Sequence, residues 1–227
     1  MKLIRLSSED ISLLENALPD VPRETSQSLL RYIDLIQVWN QRINLTGAKN
    51  PREFILHHVL DCGAALAALP NSQQWLDVGT GSGLPGLVWA ILRPNFQILL
   101  VESLQKRAAF LLRAKAELKL ANVEVLAKRF ETLHPGGLPA LKPGSYSIVS
   151  RGTSSPQGLI KLARETALPW RHWVVFSNEK IHQEYLDISP SFELEVESVP
   201  YRHFLRAGQT GLLTIIKRKN DHTLHDM

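Results

Sequence analysis

The feature that most constrains this chain is a run of alternate glycines directly after a short apolar segment. Residues 74–78 are predicted to form a strand, and Gly79, Gly81 and Gly83 follow it at every second position. Pro85 then stands where a helix would begin, because proline suits the first helical position. Glycine is needed where the backbone takes a positive φ or lies against a ligand. The segment is therefore predicted to form a strand, a tight turn and a helix beside a flat or extended small molecule.

Beyond this loop, short apolar runs alternate with helical stretches, which is typical of βαβ units and a parallel sheet. Helices are predicted to begin near residues 85, 104, 156 and 179. The predicted strands are 74–78, 97–101, 123–126, 146–150 and 172–176, and then 192–200 and 211–217. Only a loop separates the last two, so an antiparallel hairpin is predicted to close a seven-stranded sheet. The Pro/Gly-rich stretch between Leu133 and Ser145 is predicted to be an irregular surface loop.

Residues 1–70 carry apolar side chains at spacings of three and four, which predicts helices rather than strands. The apolar faces of the first two helices are Ile11, Leu14 and Leu18, and then Leu29, Ile33, Ile36 and Ile43. A third helix is predicted from Pro51 to about Leu69, with Asn50 as the N-cap and Glu53 completing a capping box. We therefore predict a helical extension over residues 1–70, packed on the core, and a Rossmann-like α/β domain over residues 71–227.

The composition limits the class of protein. Of the 227 residues, 44% are hydrophobic, which is enough for a large core, and no apolar run reaches the about 18 residues of a membrane-spanning helix. The single cysteine, Cys62, excludes an internal disulfide and fits a reducing compartment. His57 and His58 point about 100° apart on a helix and cannot both join Asp61 around a metal ion. We therefore expect a cytoplasmic protein with no membrane segment and no metal site.

Two cofactors fit the glycine loop. The segment from Gly81 to Gly86 also matches the dinucleotide pattern G-x-G-x-x-G, with the acid Glu102 about 20 residues further on, so an NAD(P)-dependent oxidoreductase is an alternative. Asp77, immediately before the loop, suits a cationic ligand and disfavours a bound pyrophosphate. S-adenosylmethionine carries a sulfonium and an ammonium. Glu102 can accept hydrogen bonds from the ribose of either cofactor, so Asp77 is what favours S-adenosylmethionine.

Several motifs together resemble the bacterial small-subunit ribosomal RNA methyltransferase G family, also called glucose-inhibited division protein B. The resemblance covers most of the chain. The matching segments are Trp39-Asn40, Ile43-Asn44-Leu45-Thr46, His58-x-x-Asp61, residues 77–86, residues 102–111, Lys128-Arg129-Phe130-Glu131 and Ser150-Arg151. Leu84-Pro85-Gly86 separates this family from other methyltransferases. The chain departs from the family pattern at Cys62, at Gly152, in the Pro/Gly-rich insertion before Ser145 and in the segment 176–180.

The resemblance implies a class I S-adenosylmethionine-dependent methyltransferase that methylates N7 of a guanine in the decoding-region loop of 16S ribosomal RNA. We expect the protein to be a monomer, with the RNA either free or in the small ribosomal subunit. It implies that Gly79 and Leu84 line the methionine and adenosine side, and that Arg151 closes the pocket. Phe130 and Glu131 are expected to lie beside the adenine. The full expected cofactor set is Asp77, Gly79, Gly81, Gly83, Leu84, Glu102, Phe130, Glu131 and Arg151.

Guanine N7 has a free lone pair, so its methylation requires positioning and desolvation and no obligatory general base. The sequence agrees with such a target, because it has no Asn/Asp-Pro-Pro-aromatic motif of exocyclic amine methylation. One cysteine also cannot supply the pair used in carbon-5 cytosine methylation. We hypothesise that Arg151 is the catalytic residue and lies between cofactor and guanine, where its planar fork would contact O6 or a phosphate.

A net charge of +4 is compatible with an RNA partner. Lys106 and Arg107 lie in a basic stretch and are candidates for phosphate contacts, with solvated helix charges as the alternative. Asn44 and His58 are candidates for the rim of the site. An RNA-binding protein with a relict methyltransferase fold is the second alternative function.

Overall fold

The computed structural model describes residues 6–138, 146–152, 154–204 and 210–219. Helix α1 (Ser8–Ala17) begins with a capping box, in which the Ser7 hydroxyl accepts from the Asp10 N–H at 3.1 Å and the Asp10 carboxylate accepts from the Ser7 N–H at 2.9 Å. Helix α2 (Arg23–Trp39) buries one face of its apolar residues and ends before Ile43, which was predicted to belong to it.

The third predicted helix is present but is not uniform. It consists of α3 (Pro51–Phe54), a π-helical turn (Ile55–Val59), α4 (Leu60–Ala65) and a 3₁₀ turn (Leu66–Ala68). The Asn50 side chain accepts from the Glu53 N–H at 2.8 Å, which confirms the predicted N-cap. The predicted capping box is not formed, because the Glu53 carboxylate accepts from the Lys49 N–H and not from the Asn50 N–H. The π-helical turn was not predicted, because the spacing of apolar residues reports the period of a helix and not the wider hydrogen-bonding ring of one turn.

Seven strands form one sheet in the order β3-β2-β1-β4-β5-β7-β6. The first five are parallel, and β7 runs antiparallel between β5 and β6. In chain order the elements are β1 (Gln74–Val78), α5 (Gly86–Leu92), β2 (Gln97–Val101), α6 (Gln105–Glu117), β3 (Val123–Leu126), β4 (Tyr146–Ser150), α7 (Pro156–Glu165), β5 (Trp170–Ser177), α8 (Glu179–Ile188), β6 (Leu194–Arg202) and β7 (Thr210–Arg218). The predicted seven-stranded, mostly parallel sheet with a terminal antiparallel hairpin is confirmed. Residues 139–145 of the predicted surface loop lie outside the described residues.

Each face of the sheet has its own apolar core. Because alternate residues of a strand point to opposite faces, Trp75 of β1 belongs to one core and its neighbour Leu76 to the other. The first core is shared with the helical extension, since Leu29 of α2 and Trp89 of α5 are both fully buried in it. The second lies under α7 and α8. The extension thus completes one face of the sheet, while a domain boundary near residue 70 stays a prediction.

Within the described ranges, none of the helices is long and apolar enough to cross a membrane. The same part of the chain holds no group of three or more His, Cys, Asp or Glu side chains arranged to bind a metal ion.

Candidate active site

The candidate site lies at the carboxyl edge of the parallel sheet. In the register of the sheet, the last residue of β1 is paired with the last residues of β2 and β4. The first residues beyond these strands are Gly79, Glu102 and Arg151, which therefore meet at one edge. Ligands of open α/β sheets bind outside the carboxyl ends of the strands, at the point where the strand order reverses. Here that point falls between β1 and β4.

The three loop glycines have positive φ, 65° at Gly79, 59° at Gly81 and 95° at Gly83. At Gly83 an added Cβ would collide with the side chain of Leu87, so this glycine is required by the packing of α5 against the loop. At Gly81 the nearest heavy atom would be 3.9 Å away. Packing among the described residues leaves space at Gly81, as expected for a position that faces a ligand.

Asp77 is fully buried and uses one carboxylate oxygen to hold the loop. Its Oδ2 accepts from the Thr80 hydroxyl at 2.7 Å and from the Gly86 N–H at 2.8 Å. The other oxygen, Oδ1, is also buried and has no hydrogen-bond partner among the described residues. Burial raises the pKa of Asp77 to about 7, against the opposing effect of the hydrogen bonds from Thr80 and Gly86. A buried acceptor without a donor fits a cationic donor from a ligand.

The structure explains why glycine occupies position 86, which the sequence did not reveal. A Cβ at this position would lie 2.7 Å from the Asp77 carboxylate and would collide with the side chain of Leu100. Glycine here allows the first turn of α5 to approach the carboxylate. The family signature Leu84-Pro85-Gly86 is thus part of the support for Asp77, and Leu84 itself is buried beside the loop.

Glu102 joins the glycine loop to the end of β2. Its Oε1 accepts from the Leu104 N–H at 2.8 Å and its Oε2 accepts from the Gly81 N–H at 3.0 Å. The residue is only 4% exposed. Since each carboxylate oxygen can accept a second hydrogen bond, the predicted contact with ribose hydroxyls is compatible with this geometry.

Arg151 points into the helical extension. Its Nη2 donates to the His57 carbonyl oxygen at 2.8 Å and to Asp61 Oδ2 at 2.9 Å. Its Nη1 lies 3.1 Å from His58 Nδ1 and 3.7 Å from the Cys62 sulfur. The guanidinium also lies 5.4 Å from the centre of the Phe176 ring. His57 lies in the π-helical turn (Ile55–Val59), so the carbonyl that binds Arg151 belongs to this turn.

The protonation states around Arg151 follow from this arrangement. Burial and the neighbouring positive charge of Arg151 lower the pKa of His58 to about 4, so its imidazole is neutral and its Nδ1 accepts from Arg151. Burial raises the pKa of the Cys62 thiol to about 12. Neither group is an available base or thiolate at neutral pH. His58 and Asp61 therefore belong to one network around Arg151.

The helical extension also supports the glycine loop directly. Tyr32 of α2 is fully buried, and its hydroxyl donates to the Ser82 carbonyl oxygen at 2.9 Å. Arg107 of α6 donates to the Asn44 carbonyl oxygen at 3.1 Å. The role of Tyr32 was missed, since a tyrosine on an apolar helix face is typical of a core residue and nothing in the sequence pairs it with a loop fifty residues away.

The remaining predicted site residues differ in how far their side chains are exposed to solvent. Phe130 is buried, and its ring packs edge-to-face on Trp173 with centroids 5.4 Å apart. Trp173 in turn donates to the Ser150 hydroxyl at 2.8 Å, at the end of β4. Glu131 and Lys106 are exposed. Trp173 and Tyr201 are both buried in the core.

Solved structures share this fold. The N-terminal domain of human METTL16 gives a TM-score of 0.54 at 10% sequence identity, over 97% of this chain and 100% of that chain. A SAM-dependent methyltransferase from Aquifex aeolicus gives a TM-score of 0.50 at 14% identity, over 72% of this chain and 91% of that chain. Fold and site together define a class I S-adenosylmethionine-dependent methyltransferase, and the oxidoreductase alternative is not favoured.

Sequence comparison narrows the class to one family. A model of the rRNA small subunit methyltransferase G family matches residues 25–209. Ribosomal RNA small subunit methyltransferase G of Methylobacillus flagellatus is 34% identical over 73% of this chain and 77% of its own length. The protein of the same name from Nitrosomonas eutropha is 32% identical over 86% of this chain and 89% of its own length. The chain belongs to this family, as the motifs predicted, and S-adenosylmethionine is its cofactor.

Proposed function

We propose that the chain transfers a methyl group from S-adenosylmethionine to N7 of a guanine in the decoding-region loop of 16S ribosomal RNA, acting as a monomer in the cytoplasm. The observation that carries this proposal is the family match over residues 25–209, together with an intact cofactor loop. In that loop the buried Oδ1 of Asp77 lacks a donor among the described residues. A relict fold would have no reason to retain such a costly buried acceptor.

Residues at the carboxyl edge fit the cofactor as follows. Asp77 Oδ1 would accept from the ammonium of the methionine part, and Gly79, Gly81, Gly83 and Leu84 would line the path of the ligand. Glu102 would accept from the ribose hydroxyls, and Phe130 and Glu131 would border the adenine. When bound, S-adenosylmethionine supplies an electrophilic methyl group on its sulfonium. The protein has to hold the acceptor atom in line with that methyl group and exclude water.

The groups near Arg151 are compatible with a target atom that needs no deprotonation. His58 has a pKa of about 4, and its Nδ1 is occupied by Arg151. Cys62 has a pKa of about 12 and cannot act as a thiolate nucleophile at neutral pH. Guanine N7 has a free lone pair and requires neither a base nor a nucleophilic cysteine. The protonation states of His58 and Cys62 are therefore compatible with an N7 target.

The proposed role of Arg151 is refined by its contacts. Both terminal nitrogens already bind the helical extension, Nη2 at the His57 carbonyl and the Asp61 carboxylate and Nη1 at His58 Nδ1. We propose that Arg151 acts through the fixed position of its positive charge beside the guanine O6, rather than through an open fork. Its test is Arg151→Lys, which keeps the charge and loses the planar geometry. Near-normal methyl transfer by this variant would contradict a role for the held guanidinium.

The proposed RNA contacts differ in how free their side chains are. Lys106 is exposed, whereas Arg107 donates to the Asn44 carbonyl oxygen and so also joins the extension to α6. Lys106→Ala is expected to reduce the salt slope of RNA binding by about 0.7–0.9 for each phosphate that the lysine neutralises. Lys161→Ala is the matched control, because its side chain is 66% exposed on α7. An unchanged slope for Lys106→Ala would remove this residue from the RNA footprint.

The experiment that tests the proposed function supplies S-adenosylmethionine with a labelled methyl group to small ribosomal subunits and to naked 16S ribosomal RNA. The modified base is then mapped by chain cleavage at 7-methylguanosine. Label in the decoding-region loop supports the proposal and shows which form of the RNA is the substrate. Label at another base or on protein would contradict it, and binding without label would indicate the relict alternative.

A further inference from the structure

The Asp61 carboxylate is shared between Arg151 and the terminal hairpin of the sheet. Its Oδ2 lies 2.9 Å from the Arg151 guanidinium, and its Oδ1 accepts from the Tyr201 hydroxyl at 2.7 Å. His203 Nδ1 is a more distant neighbour of the same oxygen, at 3.5 Å. Asp61 is 9% exposed and Tyr201 is 7% exposed, so water competes little for either group. The short, buried hydrogen bond from Tyr201 therefore fixes the second oxygen of this carboxylate.

The hairpin is built to place the Tyr201 ring at this point. Tyr201 of β6 is paired with Gly211 of β7, and a Cβ at Gly211 would collide with the ring. The ring thus lies across the neighbouring strand, in space that only glycine leaves open. Its outer side meets Phe176 edge-to-face, with centroids 6.2 Å apart. Phe176 is also the ring beneath the Arg151 guanidinium, so the same aromatic pair supports both ends of the network.

The Tyr201 phenol remains protonated and can act as the donor. Burial raises its pKa far above the ordinary value, and the adjacent Asp61 carboxylate raises it further. The hydrogen bond therefore has one direction, from Tyr201 to Asp61. A charge-assisted bond of this kind is stronger and more directional than one between neutral groups.

We infer that Tyr201 is a positioning residue for Arg151: its hydroxyl fixes Asp61, Asp61 fixes the guanidinium, and Gly211 makes room for the tyrosine ring. The C-terminal hairpin thereby acts on the end of β4 through a residue of the helical extension. This inference rests on the proposed function only for its kinetic consequence. Its structural part, a guanidinium held by Tyr201 through Asp61, stands on the contacts themselves.

The test uses the full chain with Tyr201→Phe, which keeps the ring and removes the hydroxyl. Tyr185→Phe is the matched control, because Tyr185 is likewise buried but lies in the core under α8. The first readout is the NMR signal of the Arg151 guanidinium, assigned by its loss in Arg151→Lys. We expect slow rotation of the terminal nitrogens in the unmodified chain and in Tyr185→Phe, and fast rotation in Tyr201→Phe and Gly211→Ala.

The second readout is steady-state methylation of 16S ribosomal RNA. We expect kcat to fall about tenfold in Tyr201→Phe, as a small misplacement of a positioning group does, while the KM for S-adenosylmethionine stays unchanged. In an Asp61→Asn background the further change Tyr201→Phe is expected to add little, because the two residues act in series. A raised KM and a reduced kcat together with a lower melting temperature would indicate general loosening and overturn the inference.

The two proposals fail in different ways. If the unmodified chain does not methylate the RNA, the proposed function is wrong, while the guanidinium signal still decides the positioning role. If Tyr201→Phe leaves that signal unchanged, or if Tyr185→Phe alters it equally, Tyr201 does not position Arg151. Additive effects of Tyr201→Phe and Asp61→Asn on kcat would equally contradict an action through Asp61.

Discussion

Replacing Asp77 by asparagine tests how the site recognises its cofactor. Asp77 Oδ2 already accepts from Thr80 and Gly86, and the buried Oδ1 is without a donor among the described residues. In Asp77→Asn the amide oxygen can keep both loop hydrogen bonds, while an NH₂ group replaces Oδ1. A bound ammonium would then face a donor in place of an acceptor. Loss of a hydrogen bond between charged groups is worth about 1.5–3 kcal/mol, which is about ten- to a hundredfold in affinity.

The pH dependence follows from the pKa of Asp77, which is about 7 in the folded chain without ligand. A cationic ligand requires the ionised carboxylate, so affinity rises as the pH rises through this value. The ionised fraction changes from about one tenth at a pH near 6 to about nine tenths near 8, so affinity is expected to rise about tenfold over that interval. The raised pKa also means that the free folded chain retains this proton between a pH of about 4 and 7, so Asp77 contributes a loss of stability as the pH rises there.

Isothermal titration calorimetry with S-adenosylhomocysteine, which carries the ammonium, measures both effects. Methylthioadenosine lacks the amino acid part and is the control ligand, whose affinity should not depend on Asp77 or on pH. Asp20→Asn, at an exposed turn, is the control variant. An equal loss of affinity for both ligands in Asp77→Asn, or a pH-independent affinity for S-adenosylhomocysteine in the unmodified chain, would refute the assignment of Asp77 Oδ1 to the ammonium.

Further predictions concern the support of the glycine loop. Tyr32→Phe removes the hydroxyl that donates to the Ser82 carbonyl oxygen, and denaturant unfolding should show a loss of about 1–3 kcal/mol because a buried acceptor is left unsatisfied; an unchanged midpoint would contradict this. Gly83→Ala should lower the melting temperature strongly, since its Cβ meets Leu87 at a positive φ. Gly81→Ala should have a melting temperature closer to that of the unmodified chain and should instead weaken S-adenosylhomocysteine binding. Equal effects of the two alanine variants on melting temperature and on binding would count against a ligand at Gly81.

The sequence predicted the sheet well because its signals are local. Each parallel strand contains a short apolar run. The starts of α5, α7 and α8 are marked by proline, glycine or a capping residue, whereas α6 follows Leu104 without a capping side chain. The strands of the terminal hairpin were predicted within two residues of their observed limits, Leu194–Arg202 and Thr210–Arg218. The turn after β1 was likewise predicted from local sequence alone, because alternate glycines indicate backbone positions with positive φ. The helical extension was predicted from its period, but its π-helical turn was not.

Chemistry at the site depended on both local and distant information. Asp77 and Glu102 follow from their places at the ends of neighbouring strands, because parallel strands end at one edge. The sequence could not show that Asp77 uses one oxygen for the loop and leaves the other free, since this depends on how closely α5 approaches. The sequence predicted that Arg151 lies at the mouth of the site, but it could not show that the guanidinium points toward the helical extension.

By itself, then, the sequence determined the class of fold, the cofactor loop and the family, because these depend on motifs of neighbouring residues and on the regular spacing of apolar residues. Only the tertiary structure decided what the site residues touch. Arg151 meets Asp61 across 90 positions of the chain, and Asp61 meets Tyr201 across 140. No local pattern encodes such contacts. They arise when the extension packs on one face of the sheet and the hairpin closes beside it, so that Asp61 of the extension contacts both the Arg151 guanidinium and the hairpin.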